Sequence, residues 1–429
     1  MTSKGFTRPI STFRSRYFLS PAVFCALAIA ALSSITMAAA PFDLKGRLLS
    51  VETNGIDSAD CGGQTSPCRT IGRALRDARA GDTIVVGPGT YGDVNGDRDF
   101  NDPGDETPDL TLGCVICITK RVQIISLHGA AVTVINGDGS VFDQDRPPPD
   151  LRRIVLIGAN NVVFGIKDHG FTLTRHTIGV DVQGLRNVRV AGNVAQNLDT
   201  NGFIVWNMQG RVEVSDNTAV GTTIGEGFRI GGVGDARLII KDNTVLQSEE
   251  GFAVVAASGI EISGNLVRET GTAFAILGSD AQVTHNVLFD NLAGFVVHGS
   301  GNRIIENVII GGRATPPSAG IGIGSGTDNR VQRNDIYGHH GDPFNPTACG
   351  LVNSSGNRVL ATDNYWGAPT GPGPDPADEA GAPCDSLGSV TIVEPFATRP
   401  FSLQIAIENA LGHARAAEAL RDFPRDFEH

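Results

Sequence analysis

Two repeated positions run through the middle of the chain and limit the fold more than any other feature. A large apolar residue returns about every 21 to 30 residues, at Phe203, Phe228, Phe252, Phe274, Phe295, Ile321 and Leu351. An asparagine returns in step with it, at Asn193, Asn217, Asn243, Asn265, Asn286, Asn307, Asn334 and Asn364. Repeats of this length are typical of a solenoid, in which each repeat adds one coil.

The residues around these positions predict short strands. Segments such as Val214 to Asn217 alternate apolar and polar residues and end in Gly or Asn, which tolerate a positive φ. Stacked coils place Phe on Phe in the interior and let each Asn amide hydrogen-bond to the next coil. The sequence therefore predicts an all-β, single-domain, right-handed parallel β-helix of about ten or eleven coils. An up-and-down barrel or a sandwich is the alternative, but neither repeats the same positions in every coil.

The first forty residues are typical of an export signal. Four basic residues precede an apolar run from Phe18 to Ile35, and small residues follow at Ala38 to Ala40. We expect residues 1–39 to be removed and the protein to be secreted, periplasmic or at the cell surface, with no membrane span after cleavage. A retained anchor is the alternative. The formal net charge of −12 excludes nucleic acid and anionic membranes as favoured partners.

The cysteines favour disulfide bonds. Six of the seven follow the predicted cleavage zone, and an even number suits an exported protein. We expect two local pairs and one long pair: Cys61 with Cys68, Cys114 with Cys117, and Cys349 with Cys384. The sequence alone leaves other connectivities open.

Segments near both ends of the repeat can cap it, since a solenoid exposes unpaired strands there. At the front, residues 70–78 predict a short amphipathic helix that starts near Thr70, and Gly81 to Val86 and Pro88 to Tyr91 follow as strand and turn. Near the other end lies Asp-Asn-Tyr-Trp-Gly-Ala-Pro-Thr-Gly-Pro at 363–372. An amphipathic tail then predicts a C-terminal helix.

These two segments resemble the N-terminal cap and the closing coil of secreted right-handed β-helix proteins of the pectate-lyase-like superfamily. The resemblance implies this fold over nearly the whole mature chain. It leaves the activity open, because the superfamily includes lyases, hydrolases, epimerases, adhesins and accessory proteins. The expected segments are a signal peptide at 1–39, a cap with the first strand at 41–92, an acidic insertion at 93–110, coils at 111–400 and a helical tail at 401–429.

The acidic insertion alternates oxygen-bearing side chains and resembles the calcium loops of dockerins and EF-hands. Its candidate ligands are Asp93, Asn95, Asp97, Asp99, Asn101, Asp105 and Glu106. Ca²⁺ takes about six to eight hard oxygen ligands, and crowded carboxylates repel one another without a cation. We therefore predict a structural Ca²⁺ here. A solvated acidic insertion is the alternative.

A cluster of basic residues is the candidate catalytic site, with Lys167, His169, Arg175 and His176 as its members. Its Arg-His pair resembles the Arg-His segment of alginate- and chondroitin-type β-helix lyases. β-Elimination needs a base, a proton donor and a cation at the uronate. Ordinary solvated turn residues are the alternative.

An outward-facing tryptophan is the candidate sugar contact. Strand parity turns Trp206 outward, one coil from Arg229, and we predict that both bind substrate. Packing of the ring under a loop is the alternative.

These features predict a secreted β-helix that binds an extracellular or cell-envelope polysaccharide, with β-elimination as the reaction if the protein is an enzyme. The alternative is a non-enzymatic scaffold or adhesin-like protein. Its protein partner would contact an outward apolar stripe formed by Ala253, Val255, Ala275, Leu277 and Val296. A third alternative is an accessory factor for copper-enzyme maturation, a role that this fold also serves. No Met- or His-rich motif supports it.

Overall fold

Thirteen short parallel strands, each in a successive coil, form the first of three sheets. In the computed structural model they are Leu48–Val51, Thr83–Val86, Gln123–Ser126, Val163–Phe164, Arg186–Ala191, Gln209–Ser215, Arg237–Lys241, Glu261–Ser263, Gln282–Thr284, Arg303–Ile305, Arg330–Gln332, Arg358–Leu360 and Val390–Ile392. The structure describes residues 46–137, 152–222, 224–232, 236–311, 319–339, 349–372 and 383–401. The predicted signal peptide and the predicted tail beyond Phe401 lie outside these ranges.

Two further sheets complete each coil. The second contains Gly89–Gly92, Thr133–Asn136, Thr218–Val220, Thr244–Leu246, Leu266–Arg268, Val287–Asn291, Val308–Gly311 and Asp335–Tyr337. The third contains Cys114–Ile118, Arg153–Ile157, Glu226–Gly231, Glu250–Ser258, Thr272–Ser279, Ala293–His298, Ile321–Ser325, Leu351–Asn353 and Cys384–Asp385. Two long strands, Thr172–Gln183 and Val194–Trp206, cross from the second sheet into the third.

The strands confirm the predicted parallel β-helix. Neighbouring coils pair in parallel on all three sheets, as the registers of the first, second and third sheets show. The first sheet holds more strands than the ten or eleven coils expected, because it begins inside the cap at Leu48 and ends at Ile392. In the part of the chain that the structure describes, no helix has the length and apolar character needed to cross a membrane.

The recurring phenylalanines form one continuous stack inside the solenoid. Five rings lie in successive coils of the third sheet with centroids 4.7, 4.7, 4.8 and 5.1 Å apart, in the order Phe203, Phe228, Phe252, Phe274 and Phe295. Each ring is at most 1% exposed. Parallel register puts each ring directly over the previous one. Each of these coils is therefore stabilised both by burial of an aromatic side chain and by its contact with the rings above and below.

The asparagines form the predicted ladder between the first and second sheets. In a typical step the Asn243 main-chain N–H and its Nδ2 donate to Asn265 Oδ1 at 2.9 and 3.0 Å. Asn265 Nδ2 in turn donates to the Ile240 carbonyl at 3.2 Å. The ladder begins at Asn193 and ends at Asn364. Each buried amide thus satisfies main-chain groups that a turn would otherwise leave without partners.

A charged row borders this ladder. The residue before most ladder asparagines has a φ of 54° to 60°, at Asp216, Asp242, His285, Glu306, Arg333 and Asp363. Non-glycine residues adopt this conformation infrequently, so the tight turn imposes it. Their side chains point to solvent and pair along the row, with Glu306 2.9 Å from His285 and 2.8 Å from Arg333. The row is a solvated edge.

A short helix closes the front of the solenoid. It spans Ile71–Asp77, and the Thr70 hydroxyl accepts a hydrogen bond from the Arg73 N–H at 3.1 Å, which confirms the predicted N-cap. At the other end Lys120 Nζ donates to the carbonyls of Leu75, Arg76 and Ala78 at 2.9, 2.8 and 3.0 Å. A cation at a helix C-terminus satisfies carbonyls that have no partner in the helix.

All three predicted disulfide bonds are present. They join Cys61 to Cys68, Cys114 to Cys117 and Cys349 to Cys384, with Cα atoms 4.9, 5.6 and 5.9 Å apart. The segment at 363–372 is not the last coil, although Asn364 ends the ladder and Trp366 is fully buried. Strands Cys384–Asp385 and Val390–Ile392 follow it and pair with the preceding coil.

Candidate functional site

The outer surface of the third sheet brings Trp206 and Arg229 together. They lie in adjacent coils, and the guanidinium carbon of Arg229 is 5.7 Å from the centroid of the indole ring. Both residues are half-buried. A guanidinium over an aromatic face makes a favourable cation–π contact, which holds the ring in one orientation. The structure thus places both predicted sugar contacts on one surface, and their role in binding stays a prediction.

A glycine in the next coil makes room for the indole ring. Gly231 is the register partner of Trp206. A Cβ at position 231 would lie 2.2 Å from Cζ3 of the ring, which is closer than any real contact. The ring therefore lies against bare main chain on one side, and only glycine allows this approach.

A buried carboxylate lies one coil before the ring. The Asp181 side chain is 1% exposed and pairs with Arg153 Nε at 3.2 Å. Gln183 Nε2 donates to both of its oxygens, at 2.9 and 3.1 Å, and Gln183 is the register partner of Trp206. Burial raises the pKa of the Asp181 carboxyl, and Arg153 and Gln183 act against that rise. These contacts fix the position of Gln183 beside the ring and hold Arg153 on Asp181.

Two glutamates stand side by side on the same surface. Glu226 pairs with Arg229 at 2.6 Å, and Glu250 is its register partner in the next coil. Burial and the charges of Glu226 and Glu249 raise the pKa of Glu250, and Arg229 lowers it. Like charges on adjacent strands, about 4.8 Å apart, repel each other. Glu250 therefore gains from any donor or cation that approaches it.

We call this surface the outer patch, and it consists of Arg153, Asp181, Gln183, Trp206, Glu226, Arg229 and Glu250. An aromatic ring beside fixed amide, guanidinium and carboxylate groups suits a sugar, whose rings have an apolar face and hydroxyl edges. Of these residues, only Trp206 and Arg229 were predicted from the sequence. The strand register places Gln183 next to Trp206, and it aligns Asp181 with Arg229 two coils later. These alignments could have added Gln183 and Asp181 to the predicted binding residues.

The four predicted catalytic residues do not meet at one point. Lys167 is 70% exposed and pairs with Asp216 at 3.5 Å, whereas His169 Nδ1 lies 3.1 Å from the Ser126 carbonyl. Arg175 and His176 follow on the other side of the second-sheet segment 172–174.

These two residues are more buried than Lys167. Arg175 Nη2 donates to the Gly96 carbonyl of the acidic insertion at 3.0 Å. His176 is 2% exposed. A substrate on the surface could therefore reach Lys167 and His169 but not His176, and the catalytic role of all four stays a prediction.

The acidic insertion gathers three carboxylates at its tip. Oxygen atoms of Asp97, Asp99 and Asp102 all lie within 4.8 Å of one another, and all three residues are exposed. Asn95 Nδ2 donates to Asp97 and Asp102 at 3.0 and 2.5 Å, and the Asn101 N–H donates to Asp99 at 2.9 Å. Asp102 was not among the seven predicted ligands.

Three of the other predicted ligands accept hydrogen bonds from main-chain N–H groups, Asp93 and Asp105 within the insertion and Glu106 at the cap. Asp93 is fully buried and accepts the N–H groups of Gly96 and Arg98 at 2.7 and 3.0 Å. Glu106 is 1% exposed and accepts the Ile71 and Gly72 N–H groups at 2.6 and 2.8 Å, at the start of the capping helix. Burial raises the pKa of Glu106 to about 7.

Asp105 has the same kind of role, since it accepts the N–H groups of Val94 and Asp102 at 2.9 and 2.8 Å. Asp93, Asp105 and Glu106 therefore differ from the exposed trio, because buried main-chain donors need acceptors and these carboxylates supply them.

The predicted apolar stripe is only partly exposed. Ala253 and Ala275 are 3% and 7% exposed, and Val255 and Val296 are half-buried. Leu277 is 44% exposed. Strand parity gives the direction of a side chain and not what covers it, and contact of the stripe with a protein partner stays a prediction.

Comparisons with known proteins add three similar structures. The A-module of mannuronan C-5 epimerase AlgE6 from Azotobacter vinelandii is 13% identical, covers 77% of this chain and 93% of its own, and has a TM-score of 0.42. A GH136 lacto-N-biosidase from Eubacterium ramulus is 11% identical, with 82% and 68% covered and a TM-score of 0.45.

The third, pectate lyase Pel9A, is 14% identical, with 82% and 78% covered and a TM-score of 0.37. At these identities and scores none of the three carries a statement about activity. No curated protein matches the chain.

Two family models match the sequence. Residues 53–100 match a family described as a protein of unknown function, DUF1565. Residues 135–315 and 214–365 match the family described as periplasmic copper-binding protein, NosD. These two overlapping segments run from 135 to 365, more than half of the 429 residues. The family and the three disulfide bonds indicate an extracytoplasmic protein. The chain therefore belongs to the NosD family.

Proposed function

We propose that this protein binds a polysaccharide outside the cytoplasm on the outer patch of the third sheet. The observation that supports this most is the indole ring of Trp206, which is half-buried and held by Arg229 at 5.7 Å. A ring in this setting stacks on the apolar face of a sugar. Gln183, Arg153 and the carboxylates of Glu226 and Glu250 then hydrogen-bond to hydroxyl groups of the polymer, and the stiff solenoid positions them in advance.

The replacement Trp206→Ala is expected to lower the affinity for a bound glycan by roughly 30-fold, because truncation of a tryptophan at the centre of a contact costs about 2 kcal/mol. Calorimetric titration against soluble neutral, anionic and amino polysaccharides measures this. The matched control is Phe289→Ala, since Phe289 is 37% exposed and lies 5.6 Å below Arg268 on another face. Equal losses in both variants would contradict the assignment to the outer patch.

Cleavage by β-elimination is the finer form of this proposal, and it rests on Lys167, His169, Arg175 and His176. Lys167, which is exposed, and His169, which is half-buried, are the part of this set that a uronate polymer could contact. Incubation with uronate polysaccharides and Ca²⁺, followed by the ultraviolet absorbance of the unsaturated product, tests it. Unsaturated product that forms with the unaltered protein but not with Lys167→Ala supports elimination at this turn. If no polysaccharide in the panel yields product, cleavage is rejected and the proposal of binding remains.

Copper does not fit the residues that the structure describes. Two clusters there have the spacing of metal ligands: Asp57 with Cys61 and Cys68, and the carboxylates of Asp97, Asp99 and Asp102. The two cysteines are joined in a disulfide bond, and carboxylates suit hard cations, whereas copper favours imidazole and sulfur ligands. We therefore derive no copper chemistry from these residues, although the family description names that metal.

A hard cation at the insertion is a separate proposal. Asp97, Asp99 and Asp102 can supply three of the roughly six to eight oxygens that Ca²⁺ takes. We expect Ca²⁺ at 100 times its dissociation constant to stabilise the fold by about 2.7 kcal/mol, provided that the insertion and the cap unfold together.

Thermal unfolding with Ca²⁺ and with a chelator measures this effect. The double replacement Asp97→Asn and Asp99→Asn should abolish the shift, whereas Asp60→Asn, exposed and outside the insertion, should keep it. A midpoint that does not respond to Ca²⁺ in the unaltered protein would contradict the proposal.

A further inference from the structure

The charges of the outer patch determine which glycans it can accept. Its two guanidinium groups are already paired, Arg153 with Asp181 at 3.2 Å and Arg229 with Glu226 at 2.6 Å. A uronate carboxylate would have to compete with these partners. An acidic polysaccharide therefore gains little from either arginine.

The patch also has more carboxylates than guanidinium groups. Asp181, Glu226 and Glu250 face Arg153 and Arg229 on the strands. Asp199, at the register shift within Val194–Trp206, and Glu249, just before Glu250–Ser258, accompany Arg152. The surface is thus negative in a protein whose formal net charge is −12. A polyanion is repelled at this face before contact.

One carboxylate of the patch has no ion-pair partner among the described residues, and it is Glu250. Its neighbours Glu226 and Glu249 repel its charge, and partial burial weakens its hydration. A cationic group on a ligand would remove both penalties at once. A neutral hydroxyl would remove only the second.

The indole ring of Trp206, like Glu250, favours a cationic ligand. The face of an indole ring attracts cations, as its contact with Arg229 shows. Trp206 and Glu250 lie two coils apart along the solenoid and five residue positions apart across the third sheet, roughly 19 Å in all, so they contact well-separated sugars of one chain. Cationic groups that recur along a polymer can meet both.

We infer that the outer patch selects a glycan with protonated amino groups, a polymer of unsubstituted hexosamine, over neutral and uronate polymers. This inference rests on the proposed binding of polysaccharide at the same patch. The carboxylate of Glu250 forms an ion pair with one ammonium group, and Trp206 stacks on a sugar further along the same chain. No bond is formed or broken.

The test compares chains of equal length that differ in charge. Calorimetric titration uses chitosan hexamer, its fully N-acetylated counterpart and hexagalacturonate. We expect the chitosan hexamer to bind about tenfold more tightly than the N-acetylated hexamer, the gain typical of one charge-assisted contact. We expect the weakest binding from hexagalacturonate.

Two variants locate the preference. Glu250→Gln keeps the shape of the side chain and should bring the chitosan hexamer to the affinity of the N-acetylated hexamer. Glu261→Gln removes an exposed charge on the first sheet and should keep the preference. Unchanged thermal unfolding of both variants ensures that the comparison concerns folded protein.

The outcomes separate this inference from the proposed function. Equal affinity for both hexosamine chains, or tighter binding of the uronate, overturns the inference and leaves polysaccharide binding in place. A preference that persists in Glu250→Gln overturns the assignment to this carboxylate. Failure of every glycan in the wider panel to bind overturns the proposed function together with the inference.

Discussion

Replacement of Phe252 by alanine is expected to lower the free energy of unfolding by about 3–5 kcal/mol, the usual cost of deleting a buried ring. Phe252 is fully buried between Phe228 and Phe274, with centroids 4.7 and 4.8 Å away. The deletion removes two ring contacts and leaves a cavity that the rigid coils above and below cannot close. Urea unfolding followed by circular dichroism measures the loss.

The matched control for this change is Phe289→Ala. Phe289 belongs to the second sheet and is 37% exposed, so its removal should cost less than about 1 kcal/mol. Phe252→Leu, which keeps most of the volume, should fall between the two. Similar midpoints for Phe252→Ala and Phe289→Ala would mean that the phenylalanine stack does not stabilise the solenoid.

Replacement of Asn265 by alanine is expected to cost about 3 kcal/mol or more, although it removes few atoms. Asn265 Oδ1 accepts from both nitrogen atoms of Asn243, and its Nδ2 donates to the Ile240 carbonyl and to Asn286 Oδ1. The change leaves several buried donors and acceptors without partners, each at a cost of about 1–3 kcal/mol before relaxation. Loss of protection from hydrogen exchange should concentrate in the two adjoining coils.

Asn265→Asp tests whether the amide matters beyond its shape. The aspartate has the same size but no N–H donor, and it adds a buried charge, so it should destabilise at least as much as alanine. Gln282→Ala is the control, because Gln282 is exposed on the first sheet nearby. An Asn265→Asp protein as stable as the unaltered one would show that the ladder needs only volume.

The interior could be predicted from the sequence because equivalent positions in successive coils carry the same type of residue. Each coil needs one large apolar residue at the place of Phe252 and one amide at the place of Asn265, so seven or eight copies make both visible. The shorter ladder in which Ala281 N–H donates to Asn302, and Asn302 N–H to Asn329, has too few members to be noticed. The number of stacked strands was underestimated for the same reason, because the cap strands carry neither signal.

The candidate site could be predicted only where strand parity determines it. Parity placed Trp206 and Arg229 on the surface, and both lie there. Asp181 was missed because its strand, Thr172–Gln183, runs through two sheets and changes direction, which hides the alternation. Contacts between distant segments give no local signal, and Arg175 reaches Gly96 across 79 residues. That contact and the trio at Asp97 depend on how the insertion packs on the coils.

Tryptophan fluorescence tests binding at the outer patch most directly, because the chain has two tryptophans. Trp366 is fully buried, whereas Trp206 is half-buried on the third sheet. Acrylamide should therefore quench mainly Trp206, and Trp206→Phe provides the baseline. We predict that saturating glycan protects this emission from acrylamide and shifts it to shorter wavelength. A glycan that binds by calorimetry while Trp206 remains fully quenchable would contradict the assignment of the site.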